Sequence, residues 1–129
     1  MNEDFVTYEI AVKLKEKGFR KPCIAHYCCL DGNVLKFNIT TDCIRGSNIK
    51  CLNGENNIYT DAPTLPQVLK CLREEKKLHL VIDFDGGMGW YYQIALYGLT
   101  TYEKESEHKY NSYEKAALAG VAYCLENLI

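Results

Sequence analysis

The sequence predicts an α+β fold, in which three helices accompany an antiparallel sheet built from two β-hairpins, in the order α-β-β-loop-α-β-β-α. Three observations support this class: helical apolar periodicity near the start, middle and end of the chain, two pairs of apolar runs joined by glycine-containing turns, and ordinary globular composition. The 129 residues, 47% hydrophobic and 25% charged, suit one compact domain over 1–129.

The first helix is predicted from Phe5 to Lys17. Val6, Ile10 and Leu14 recur at i, i+4 and i+8, which places them on one apolar stripe. Gly18 follows the stripe and is expected to end the helix in a left-handed cap.

A first hairpin is predicted from two apolar runs, Cys23 to Leu30 and Val34 to Ile39, on either side of an Asp-Gly-Asn turn at 31–33. The stretch of about 40–60 that follows is rich in glycine and asparagine and lacks a clear period. We interpret it as a variable loop, because a connection of this length is uncommon in a compact domain unless it is functional or mobile.

The second half repeats the alternation of helix and hairpin. Thr64 and Gln67 form a capping box that starts a helix, which leads into a strand at Leu78–Asp85 and, after a glycine-rich turn, a strand at Trp90–Tyr97. A last helix is expected from about 111–112 to the end of the chain. Its mid-helix glycine, at position 120, costs about 1 kcal/mol relative to alanine, and a close approach to the sheet would account for it.

Composition disfavours several functional classes. A net charge of −2 with interspersed signs disfavours duplex nucleic acid as a partner, and no apolar stretch is long enough for a membrane span. The acidic start Met1-Asn2-Glu3-Asp4 is unlike a signal peptide. Seven cysteines, an odd number, indicate free thiols in a reducing compartment, so we expect a cytoplasmic protein.

Two groups of side chains raise the question of a metal or catalytic site. His79, Asp83 and Asp85 share one strand face, which suits a divalent-metal site, acid–base chemistry or a solvated sheet surface; we favour the solvated surface. The other group consists of zinc-ligand types without a C-x2-C pair: Cys23, His26, Cys28, Cys29, Cys43 and Cys51. Zinc is therefore the disfavoured alternative to no cofactor at all.

No nucleophile-elbow, zinc-protease or phosphate-loop motif occurs, so we expect a protein that is not an enzyme, although a spatial Cys–His pair remains open. The second hairpin combines a flexible tip with three aromatics. Strand alternation places Trp90 and Tyr92 opposite to Tyr91, so one side joins the core and the other either packs the hairpin or forms a binding surface. The candidate binding surface comprises Gly86, Gly87, Met88, Gly89, Trp90, Tyr91 and Tyr92, with Arg45 and Lys50 from the loop.

Three blocks of the sequence stand out: NEDFVTYEIAVKLKEKGF (Asn2 to Phe19), DAPTLPQVLKCLREEKKLHL (Asp61 to Leu80) and YNSYEKAALAGVAYCLENLI (Tyr110 to Ile129). These blocks resemble a family of small uncharacterised proteins common in phage-like and mobile elements of anaerobic gut bacteria. The resemblance implies a source and carries over no site residues. The final segment, with SYEKAALAG, is more loosely similar to the HicB antitoxin domains, which lack the first helix and hairpin.

These observations predict a non-catalytic accessory protein of a phage or mobile element that binds a host or phage protein. The first alternative is a counter-defence protein that sequesters a nucleotide-like small molecule, with aromatics stacking the base and Lys or Arg meeting phosphate. The second alternative is a HicB-like antitoxin or regulator. No membrane partner is expected, and a homodimer stays open.

Overall fold

A computed structural model describes residues 4–37, 51–54, 57–96 and 102–129, with only the backbone for Tyr102 and Glu103. Within these ranges it has three helices and two three-stranded antiparallel sheets, which confirms the predicted α+β class. The chain divides into two compact units, Met1–Thr64 and Leu65–Ile129, which we describe separately. The single domain over 1–129 stays a prediction, and most of the 40–60 loop lies outside the described residues.

The first unit contains one helix and one sheet with strand order β2-β1-β3. Its elements are α1 (Tyr8–Glu16), β1 (Ala25–Cys28), β2 (Val34–Phe37) and β3 (Tyr59–Asp61). The predicted hairpin is present as β1 and β2, joined through a 3₁₀ turn at Cys29–Asp31 and two residues with positive φ, Gly32 and Asn33. The third strand was not predicted, and the prediction of a single sheet was wrong, because the two hairpins lie in separate three-stranded sheets.

Helix α1 begins and ends where local signals place its caps. The Thr7 side chain accepts a hydrogen bond from the Ile10 backbone N–H at 3.4 Å, so the helix starts three residues later than predicted. Gly18 has a φ of +88°, and the Phe19 N–H returns to the Leu14 carbonyl at 2.9 Å, which confirms the predicted left-handed cap.

A buried carboxylate holds the loop at 51–54 against β3. The Asp61 side chain accepts hydrogen bonds from the backbone N–H of Leu52 at 2.9 and 3.1 Å and from that of Asn53 at 3.0 Å. The Asn53 side chain in turn accepts from the Asp61 N–H at 2.9 Å and donates to the Phe19 carbonyl at 3.1 Å. Burial raises the pKa of Asp61, while the N–H groups of Asn53 and Leu52 oppose that rise.

We expect Asp61→Ala to lower the free energy of unfolding by about 3 kcal/mol, because it leaves buried backbone donors without their acceptor. Urea denaturation measures the change. Asp31→Ala is the matched control, since Asp31 is exposed and pairs with Lys36 at the surface, and it should cost less than about 1 kcal/mol. Equal losses in the two variants would contradict a structural role for the buried carboxylate.

The second unit places two helices on one sheet with strand order β4-β5-β6. Its elements are α2 (Leu65–Glu75), β4 (Leu78–Asp85), β5 (Gly89–Leu96), β6 (Tyr102–Glu105) and α3 (Tyr113–Asn127). The bounds of β4 match the prediction, as does the start of α2 after Thr64, whereas β6 was not predicted. Ser112 caps α3 by accepting the Lys115 N–H at 3.1 Å.

The apolar face of β4 and β5 packs against the helices. Leu80 pairs across the strands with Ile94, and Ile82 pairs with Tyr92, so these four side chains share one face. Gly120 of α3 lies directly over this face: a Cβ built on it would stand 2.6 Å from Leu80 Cδ1 and 3.1 Å from Tyr92 Cγ. This confirms that close approach to the sheet accounts for the mid-helix glycine.

We expect Gly120→Ala to destabilise the protein by about 1 to 2 kcal/mol, although alanine is the better helix former by about 1 kcal/mol. The added methyl group would force Leu80 or α3 to move. Thermal or urea unfolding measures the change, with Ala122→Gly at a half-buried position of the same helix as the control for propensity alone. A stabilised Gly120→Ala protein would show that the contact between α3 and the sheet can accommodate a methyl group at this position.

Candidate functional site

The glycine turn between β4 and β5 is fixed by one carboxylate and by a close backbone approach. The Asp85 side chain accepts the Gly87 N–H at 3.1 Å, and its carbonyl accepts the Met88 N–H at 3.1 Å. Gly89 has a φ of +130°, and a Cβ there would lie 2.8 Å from the Tyr110 carbonyl oxygen. Glycine is therefore required at 89 both by its backbone angle and by the space available.

An aromatic patch lies beside this turn, and we define it as the packed rings of Phe84, Trp90 and Tyr113 together with Met88 at the tip of the turn. Phe84 and Trp90 face each other across the strands, with ring centroids 4.9 Å apart, and Trp90 meets Tyr113 edge-to-face at 5.9 Å. Phe84 is 54% exposed, Met88 71% and Tyr113 40%, while Trp90 is half-buried between the rings. The patch is thus an apolar surface with one partly covered tryptophan at its centre.

The patch continues the face that forms the core. Phe84 lies on the same side of β4 as the buried Leu80, as strand alternation predicts, yet it is exposed. Helix α3 begins only at Tyr113, and that residue packs on Trp90. The aromatic side chains at the hairpin end therefore extend the core face into a region that is more exposed.

The structure separates the residues of the predicted binding surface. Met88 and Trp90 lie in the aromatic patch, whereas Tyr91 lies on the opposite face of the sheet. Tyr92 is only 5% exposed and lies beneath Gly120 of α3 in the core, so little of its ring is accessible. The candidate residues Arg45 and Lys50 lie outside the described residues.

Two members of the patch, Phe84 and Tyr113, were missed from the sequence. Phe84 could have been found from the hairpin register, because a three-residue turn at 86–88 pairs it with Trp90. The position of Tyr113 depends on how α3 packs, which no local pattern reports.

The opposite face of the hairpin carries a polar cluster that we call the His108 cluster: Asp85, Tyr91, Glu105 and His108. The His108 ring stacks on Tyr91, with centroids 3.7 Å apart and planes at 14°. Its Nδ1 lies 2.9 Å from Asp85 Oδ2, and its Nε2 lies 3.4 Å from Glu105 Oε2. The His108 cluster links the glycine turn to the segment between β6 and α3.

Contacts within the His108 cluster shift the pKa values of both His108 and Asp85. The hydrogen bond to Asp85 raises the pKa of His108, with a further contribution from Glu105, and the same bond to His108 lowers the pKa of Asp85. The His108 contribution to stability is therefore present below its unfolded pKa of 6.5 and lost as pH rises through its folded pKa. The Asp85 contribution is present above 3.8 and lost as pH falls through its folded pKa.

We expect Asp85→Asn to move the titration midpoint of the His108 ring to lower pH, because the anionic partner of Nδ1 is removed. A pH titration followed by NMR of the ring measures the midpoint. Asp83→Asn removes the same charge two residues away, where the carboxylate accepts the Phe84 N–H at 2.8 Å instead, and should move the midpoint less. Equal shifts in the two variants would contradict the direct pair.

The constellation of His79, Asp83 and Asp85 does not come together as one site. His79 pairs with Ala95 near one end of the strand, while Asp85 pairs with Gly89 at the turn, about 20 Å away at 3.4 Å per residue. Asp85 binds His108 instead. His108 was not singled out from the sequence, because Asp85 and Tyr91 are distant from it along the chain.

The cysteines of the described residues carry free thiols: Cys23, Cys28, Cys29, Cys51, Cys71 and Cys124. Burial raises the pKa of Cys124 to about 11, so its thiol is protonated at neutral pH. Among the described residues no three His, Cys, Asp or Glu side chains are grouped to hold a metal ion. Cys43 lies outside these residues, and the expectation of no cofactor stays a prediction.

Comparison with known proteins finds no matching family model, and no curated protein or solved structure is significantly similar to the chain. The resemblance to proteins of phage-like elements therefore stays a prediction. Within the described residues no helix is long and apolar enough to cross a membrane.

Proposed function

We propose that the chain is a non-catalytic binding protein that docks onto a partner protein through the aromatic patch. The observation that carries this proposal is the exposure of Phe84, Met88 and Tyr113 around a half-buried Trp90. Clustered apolar side chains on a surface mark interaction sites more often than scattered ones do. The setting in a phage or mobile element, with a host or phage protein as partner, is part of the proposal and rests on sequence resemblance.

The patch has the composition and the rigidity of a protein-binding surface. Tryptophan and tyrosine are enriched among the residues that contribute most to protein–protein affinity, and aromatic residues and methionine are enriched at interfaces generally. Trp90 is held by Phe84 across the hairpin and by Tyr113 at the start of α3, so little side-chain entropy is left to lose on binding. Met88 adds an adaptable side chain at the tip.

The ring geometry favours a protein partner over a stacked base. Phe84 and Trp90 are tilted at 52°, and Trp90 and Tyr113 stand at 86°, so the rings pack on one another and present an uneven apolar surface. A base is usually held on an open ring face or between parallel rings. Nucleotide sequestration and a HicB-like role remain the alternative proposals, and neither gains support from this geometry.

We expect the double variant Phe84→Ser/Met88→Ser to weaken partner binding by more than about thirtyfold, because each removes an exposed apolar anchor. A photo-crosslinking residue introduced at Asn111, an exposed position two residues before Tyr113, identifies the partner in cells that carry the gene. The purified pair is then titrated by calorimetry. Unfolding curves confirm that the variant remains folded.

The matched control is Ile24→Ser/Leu30→Ser, which removes two exposed apolar side chains from the first unit. Partner binding that survives the patch variant but not this control would contradict the proposal. Sedimentation velocity tests whether the patch binds a second copy of the chain, which would make the protein a homodimer. A nucleotide-dependent rise in melting temperature that the patch variant abolishes would favour the sequestration alternative instead.

A further inference from the structure

A small cavity of about 250 Å³, half open to solvent, lies at the end of the second sheet that is remote from the glycine turn. Its lining combines Arg73 from α2, Lys77 from the connection and His79 from β4 with two apolar residues of β5, Ala95 and Leu96. None of these five residues is acidic. The cavity thus combines the exposed side chains of Arg73, Lys77 and His79 with an apolar wall, and its volume suits a ligand smaller than a drug.

Lys77, which lines this cavity, has an unusual backbone conformation. Lys77 has a φ of +58° just after α2, in the left-handed region where glycine is the usual residue. A lysine there costs backbone energy that glycine would avoid, and such strain is concentrated at functional sites. Its Nζ lies 3.4 Å from the Glu74 carbonyl, a long hydrogen bond at the end of the helix.

We propose that this cavity binds a small phosphate monoester. Arg73 can form paired hydrogen bonds with two phosphate oxygens, and Lys77 supplies a compact positive charge. His79 offers a ring N–H, while Ala95 and Leu96 form an apolar wall for the organic part of the ligand. The site is independent of the aromatic patch, because His79 and Phe84 are five residues apart on β4, about 17 Å.

Titrations with inorganic phosphate and with ribose 5-phosphate, followed by amide NMR at constant ionic strength, test the proposal. We expect saturable shifts at Lys77, His79, Ala95 and Leu96, with tighter binding of the sugar phosphate. Arg73→Ala should weaken binding at least tenfold. Lys70→Ala removes one positive charge from an exposed position of the same helix outside the cavity lining, and it should change the affinity less than twofold.

Lys77→Gly separates a binding role from a structural one. We expect the melting temperature of the free protein to rise by about 4 °C, because the left-handed strain is removed, while phosphate affinity falls at least fivefold. A lower melting temperature with unchanged affinity would show that Lys77 serves only the end of the helix. Shifts spread over the whole surface, or equal losses in Arg73→Ala and Lys70→Ala, would overturn the site.

Discussion

The close approach of α3 to the sheet at Gly120 is the contact on which the second unit and its patch depend. A side chain at this position would collide with Leu80 and Tyr92, so glycine sets how near the helix lies. Tyr113 precedes Gly120 by seven residues, about two helical turns, and therefore lies on the same side of α3. The contact that brings Gly120 onto Tyr92 thus also brings Tyr113 onto Trp90.

The two faces of the hairpin perform different tasks because strand neighbours alternate. Trp90 points to the helix side and joins the aromatic patch, while Tyr91 points away and stacks on His108. Asp85 connects these faces, since one carboxylate accepts the Gly87 N–H within the turn and also binds His108. A turn held in this way presents Met88 from a defined backbone, which lowers the entropic cost of docking.

The sequence predicted those elements whose signal is local and repeated. The strand β4 has eight residues, enough to establish a period, and its predicted bounds were correct. The strands β3 and β6 have three and four residues, too few for a period, and they depend on distant partners. Hydrogen bonds between Asp61 and Asn53 hold β3 in place, and β6 pairs with β5 in a register that shifts between Ile94 and Ala95.

The candidate site was predicted only in part for a related reason. Alternation assigned Trp90 and Tyr92 to one face, but it could not show where the covering helix begins. The start of that helix determines that Trp90 is half-buried while Tyr92 is buried. No local sequence pattern around His108 predicts its contacts with Asp85 and Tyr91. Its partners Asp85 and Tyr91 become adjacent only after the strands have paired.

Exposure alone does not distinguish the aromatic patch, since Leu30 of the first unit, at 74%, is more exposed than Met88. Single exposed apolar residues are common on protein surfaces. What distinguishes the patch is that Phe84, Trp90 and Tyr113 pack on one another while two of them remain open to solvent. Such rings are already ordered before a partner arrives, so the apolar area that a partner would bury is not offset by much lost side-chain freedom.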